Sequence, residues 1–139
     1  MPARLATLVL ATLALLAPSC GGADAGPDET LRDYFTAIVE QNGARACDQL
    51  TEELQRDIER APAARTAGRS CPDVMRLAAG LNPGLSTEDV EDLDIGVEED
   101  GDRAVATVKN PLSRREETID LVKVGGELRI STLETRPRG

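Results

Sequence analysis

The 139-residue chain has no histidine and no tryptophan. Without histidine it lacks the commonest general base and the commonest zinc ligand. Aromatic residues amount to 1% of the chain, Tyr34 and Phe35 alone, and the net charge is −9. Neither a stacking platform for bases nor a phosphate-attracting surface follows from such a composition, which excludes nucleic-acid binding. There is no glycine-rich phosphate loop, no nucleophile elbow and no C-x-x-C redox motif. Long apolar runs are missing too: the longest, residues 5–17, has 13 residues, and a bilayer span needs about 20. From residue 20 onward, Leu, Ile, Val and Phe make up 25 of 120 residues. That fraction, about 21%, lies just above the roughly 20% level associated with disorder, so one small core is expected.

What is present begins with an address. Arg4 and the amino terminus precede the 13-residue apolar run, the pattern of a secretory signal over residues 1–19. The run ends in Leu16-Ala17-Pro18-Ser19-Cys20-Gly21, which resembles a bacterial lipobox. Ala17 stands three places before the cysteine, where a lipobox favours Leu, and Leu16 is one place earlier. Lipidation at Cys20 is the expectation, with plain secretion as the alternative. Acyl chains contribute about 0.8 kcal/mol per buried CH₂, enough for a multiply acylated cysteine to hold a protein on a membrane. Residues 20–27, rich in Gly, read as a flexible tether.

A single α+β domain is expected over 28–133, with a polar tail at 134–139. Leu31, Tyr34, Phe35, Ile38 and Val39 lie at i, i+3, i+4, i+7 and i+8, the stripe of a first helix that Gly43 is expected to stop. Cys47, Leu50, Leu54 and Ile58 mark a second helical stretch, with Thr51 capping a break inside it. Residues 61–68 read as a loop or weak helix. Ser70 caps a third helix with Pro72 in its first turn, and Val74, Met75, Leu77, Ala78 and Leu81 are expected inward. After Asn82-Pro83-Gly84 the period changes to two. Leu93, Ile95 and Val97 predict a strand with one buried face, and Asp100-Gly101 a hairpin turn into residues 103–109. Asn110-Pro111 breaks that strand. Residues 118–124 form a third with Ile119 and Leu121 inward, and Gly125-Gly126 leads to a fourth with Leu128 and Ile130 inward. Three helices and then a sheet of about four antiparallel strands is an α+β order.

Several of these residues carry a resemblance. Tyr34-x-x-Ala37-Ile38, Ala46-Cys47-x-x-Leu50-Thr51, the spacing around Asp100-Gly101-Asp102-x-Ala104, and Leu121-x-Lys123-x-Gly125-Gly126-x-Leu128-x-Ile130 are similar to small bacterial lipoproteins of the nuclear-transport-factor-two-like superfamily. The closing strand there often carries Trp where this chain has Leu128. The resemblance implies a curved sheet wrapped around helices as a cone whose mouth can hold a small molecule. It implies no particular reaction.

With Cys20 assigned to lipid, two cysteines remain, and export favours a Cys47–Cys71 disulfide over two unlinked thiols. Closing a loop of that size is worth about 3.5 kcal/mol in the chain-entropy model. Two cysteines without histidine cannot complete a structural zinc site. Nine of the 25 acidic residues fall in residues 88–102. Their spacing departs from a calcium loop, and a solvated sheet face and turn is the expectation, so no metal is assigned. Tyr34 is the candidate pocket residue, with its hydroxyl at a rim. Asp120, between inward Ile119 and Leu121, is expected to point to water or the mouth. Arg114-Arg115 reads as a solvated pair. No catalytic set and no cofactor site is assigned. The functional expectation is a non-catalytic cell-envelope lipoprotein that binds a small molecule or an envelope protein. The alternatives are a carboxylate-dependent isomerase or lyase of the same fold, and a structural accessory with an acidic interaction surface.

Overall fold

The computed structural model describes residues 25–68, 70–81, 83–109 and 115–133. Among these, six helices precede four strands: α1 (Pro27–Val39), α2 (Gly43–Asp48), α3 (Glu52–Arg60), α4 (Pro62–Ala67), α5 (Cys71–Gly80), α6 (Thr87–Glu91), β1 (Ile95–Asp100), β2 (Arg103–Lys109), β3 (Glu116–Val124) and β4 (Glu127–Thr132). The strands form one antiparallel meander in the order β1-β2-β3-β4. The protein is thus α+β with a four-stranded antiparallel sheet. The signal segment, Cys20, Asn110-Pro111, Arg114 and the 134–139 tail lie outside the described residues.

Pro27 opens α1, where a missing N–H costs nothing, and Asp28 and Glu29 suit the positive end of its dipole. Its buried stripe includes Leu31, Tyr34 and Ala37, while Phe35, Ile38 and Val39 pack against the core from its margin. The expected stop at Gly43 is displaced. α1 ends at Val39, Gln41 takes a positive φ of 55°, and Gly43 is the first residue of α2, capped by the Asn42 side chain. Thr51 does break the second helical stretch: its Oγ1 accepts from the Leu54 N–H at 3.2 Å to start α3. Residues 62–67 are helical as α4.

Ser70 caps α5 by accepting from the Asp73 N–H, with Pro72 in the first turn. The buried positions of α5 are Cys71, Met75 and Ala79, four apart. The expected inward pair Leu77 and Leu81 is instead 40% and 74% exposed. The stripe starting from Cys71 wins because the disulfide turns that face toward α2. Residues 87–91, expected as acidic surface leading into a strand, form α6, which a reciprocal Ser86–Asp89 capping box starts.

The sheet follows the period-two pattern closely. Ala104, Ala106 and Val108 of β2, Ile119 and Leu121 of β3, and Leu128 and Ile130 of β4 all face the helices and are buried. Gly101 (φ 60°) occupies the first central position of the β1–β2 turn, and Gly125 (φ 60°) and Gly126 (φ 83°) form the β3–β4 turn. Positive φ at both central residues is the mark of a I′ hairpin turn, and the twist of that turn suits the strands. β1 departs from the expected one-sided burial: Leu93, just before it, is buried, but Ile95 is only half-buried and Val97 is 37% exposed. β1 is an edge strand that runs out beyond the helical cover.

Candidate functional site

Each edge of the sheet has a distinct environment, and this places the site. Beyond β4 the chain segment 49–51 adds a parallel bridge: the Thr51 N–H donates to the Ile130 carbonyl (2.9 Å) and the Ile130 N–H donates to the Gln49 carbonyl (2.8 Å). The start of α3 is thereby pinned beside the end of β4. Gln55 tightens the corner, its side-chain amide donating to the carbonyls of Cys47 (2.8 Å) and Leu50 (3.2 Å).

Between that corner and the face of the sheet turned away from the helical core lies a groove of about 560 Å³, within the usual range of small-molecule sites. Its floor is Val105, Val122 and Val124, and its walls carry Arg103, Asp120, Thr132 and, from α3, Glu53. The alternation that sends Ile119 and Leu121 inward sends Asp120 to this outer face, where it is half-buried. A register shift at Asp120/Leu121 lets Asp120 pair with Thr132 while Leu121 pairs with Ile130. The Ser131 hydroxyl, left over at the bulge, donates to the Asp120 carbonyl at 3.1 Å. A second groove of about 490 Å³, holding Asp48, Glu52, Gln55 and Arg129, shares Thr51 and Val124 with the first.

Tyr34 is placed elsewhere. It is 8% exposed in the core, its ring edge-on to Phe35, and its hydroxyl donates to the Met75 sulfur at 3.8 Å. Burial, reinforced by the charge of Glu117, pushes its ionisation up to about 12. Neither groove includes it. Cys47 and Cys71 form a disulfide with Cα atoms 6.2 Å apart, both nearly inaccessible, joining α2 to the first residue of α5.

The acidic stretch divides between two structures. Asp89 is spent on the capping box, and the hydroxyl and backbone N–H of Ser86 hold its carboxyl below the ordinary carboxylate range. Glu98 and Asp100 lie on the edge strand β1. Among the described residues no group of three or more His, Cys, Asp or Glu side chains is placed to share a metal ion.

The outer-face groove is therefore the site that sequence reasoning missed. The parity of Asp120 pointed to it, but Glu53 and Thr51 reach it through a tertiary contact with no short-range signal. No family model matches the chain, and no curated protein or solved structure matches it. No described helix is long and apolar enough to cross a membrane.

Proposed function

We propose that the chain is a non-catalytic, lipid-anchored protein of the cell envelope whose single domain, a small cone-like member of the nuclear-transport-factor-two-like superfamily, binds a ligand or a protein partner. The observation that carries this reading is the buried Cys47–Cys71 disulfide. A stable internal disulfide belongs with an oxidising compartment, in keeping with the apolar leader and with Cys20 at the end of it. Once the leader is removed, Cys20 becomes the acylated first residue and residues 20–27 hold the domain off the headgroups. Binding takes place on the outer face of the sheet, where an apolar floor and charged walls meet in one groove.

The test is metabolic labelling with a fatty acid together with membrane fractionation of the full-length chain and of Cys20→Ser. The parent is expected to be labelled and sedimented, and the variant to lose both properties. Equal labelling of the two chains, or an unprocessed parent in the cytosol, removes the anchored reading. Intact mass of the exported protein is expected to rise by about 2 Da on reduction, the mass of the two hydrogens a dithiol gains.

A further inference from the structure

We propose that the outer-face groove takes a small organic cation, an amine with an aliphatic body, whose charge sits between Asp120 and Glu53. The inference rests on the binding-domain reading above and names its ligand class.

The two carboxylates line the same groove. Among the described residues neither side chain enters a salt bridge or accepts a side-chain hydrogen bond. Among the described residues the one cation in the groove is Arg103. It stands directly across the β1–β2 pair from Asp100, on the same face, so a second carboxylate neighbours it on the side away from Asp120, although no salt bridge joins the two. Arg103 faces Val122 across the β2–β3 pair, and Asp120 faces Val105. Arg103 and Asp120 are thus diagonal neighbours, yet no ion pair joins them. The remaining charge of the lining is negative, in a chain of net charge −9.

The floor decides the rest of the ligand. Val105 is 39% exposed and Val124 53% exposed, with Val122 between them on the same face. Covering them releases water from apolar surface, which favours an aliphatic body. Thr51 spends a lone pair on the Leu54 N–H and Ser131 spends its proton on the Asp120 carbonyl, so the polarity of the lining is set chiefly by its charges. A neutral apolar body would desolvate two carboxylates without compensation. An anion would meet Asp120 and Glu53 in the groove and Glu98 on the same face of β1. A cation with an aliphatic body satisfies both the walls and the floor.

The experiment is an amide chemical-shift titration of the exported, disulfide-bonded chain carrying Cys20→Ser, which keeps lipid out of the measurement. The probes are isopentylamine, isopentanol and isovalerate, which share one body and differ in charge. Saturable shifts at Val105, Val122 and Thr132 are expected with the amine alone. Asp120→Asn and Glu53→Gln should each weaken it about fivefold, the scale of a partly exposed ion pair. Arg103→Gln should tighten it, because the competing cation is gone. Glu53 is exposed on α3, so its variant keeps the test intact if Asp120→Asn does not fold. The proposal is overturned if the alcohol matches the amine, if isovalerate binds, or if none of the three binds. Amine binding by a chain whose parent is never acylated supports the groove while removing the anchored reading. An acylated parent with a silent titration does the reverse.

Discussion

Where α2 crosses α5, the backbones touch. A Cβ built on Gly43 would stand 2.0 Å from the Pro72 carbonyl oxygen, and one turn further on the Cys47–Cys71 disulfide closes the same contact. Where α6 meets α1 and the start of β1, there is no covalent link. Arg32 of α1 reaches across, and its guanidinium donates to the carbonyls of Val90 (2.7 Å), Glu91 (2.8 Å) and Leu93 (2.8 Å) while its Nε donates to Asp28 (3.0 Å). Val90 and Glu91 close α6 and Leu93 lies between it and β1, so one guanidinium ties the helix end to the start of the sheet. The first region is sensitive to added volume, and the second to a lost donor. A chain with so few large apolar residues uses both devices because its core alone is small.

Removing the staple should have the largest effect. A Cys47→Ala/Cys71→Ala chain is expected to lose about 3.5 kcal/mol from the unfolded-state term, read as a lower denaturant midpoint by far-ultraviolet circular dichroism. A midpoint unchanged within error would mean that the backbone contact alone holds the two helices. Gly43→Ala, with the disulfide intact, tests that contact. The added methyl meets backbone and not a side chain that can swing away, so a loss of about 3 kcal/mol is expected. A neutral result would show that α2 slides freely over Pro72.

Tyr34 sharpens the comparison from α1, the helix that touches both regions. Its hydroxyl ionises at about 12 when folded, against about 10 when unfolded. Below pH of about 10 both states keep the proton and this contribution is whole. Between the two values only the unfolded chain ionises, so stability falls as pH rises, by about 2–3 kcal/mol in all. Tyr34→Phe should flatten that alkaline limb and change the neutral midpoint little, because the partner of the hydroxyl among the described residues is a sulfur, a weak acceptor. An equally steep limb in the variant would assign it to other groups.

The sheet was far more legible in the sequence than the helical layer. Strand burial is a matter of parity, and Ala104, Ala106, Val108, Ile119, Leu121, Leu128 and Ile130 keep it without interruption. Glycine pairs mark hairpins because few other residues accept the backbone they need. Helix faces were harder. On α5 the expected face held Met75, which is buried, together with Leu77 and Leu81, which are not; the face that Met75 shares with Cys71 and Ala79 fits a helical period equally well, and the disulfide favours it. α6 has five residues and one buried side chain, Val90, too short for any period, although Ser86-x-x-Asp89 announces its start. Gly43 reads as a stop by composition, but its place is set by Pro72, distant in sequence. The groove shows the same division: Asp120 follows from parity, and Glu53 follows from the bridge between residues 49–51 and β4.

The smallest expected effect tests the corner that Arg32 holds. Arg32→Met keeps most of the aliphatic stem and removes the donors, so the change reads hydrogen bonding more than packing. Bonds from a charged donor are worth more than neutral ones, but this side chain is 32% exposed and water can replace part of what is lost. A global loss of about 1–2 kcal/mol is expected. The local consequence is more telling. Amides of residues 90–93 should lose hydrogen-exchange protection, while those around Cys47 and Cys71 keep theirs, since nothing in the stapled contact depends on Arg32. Uniform loss across both regions would mean that the two corners open together, and that α1 couples them through its shared face with Leu31 and Tyr34. Protection lost only at residues 90–93 would make the α6 corner a separate unit, docked onto the rest of the domain through buried Val90 and the Arg32 bonds.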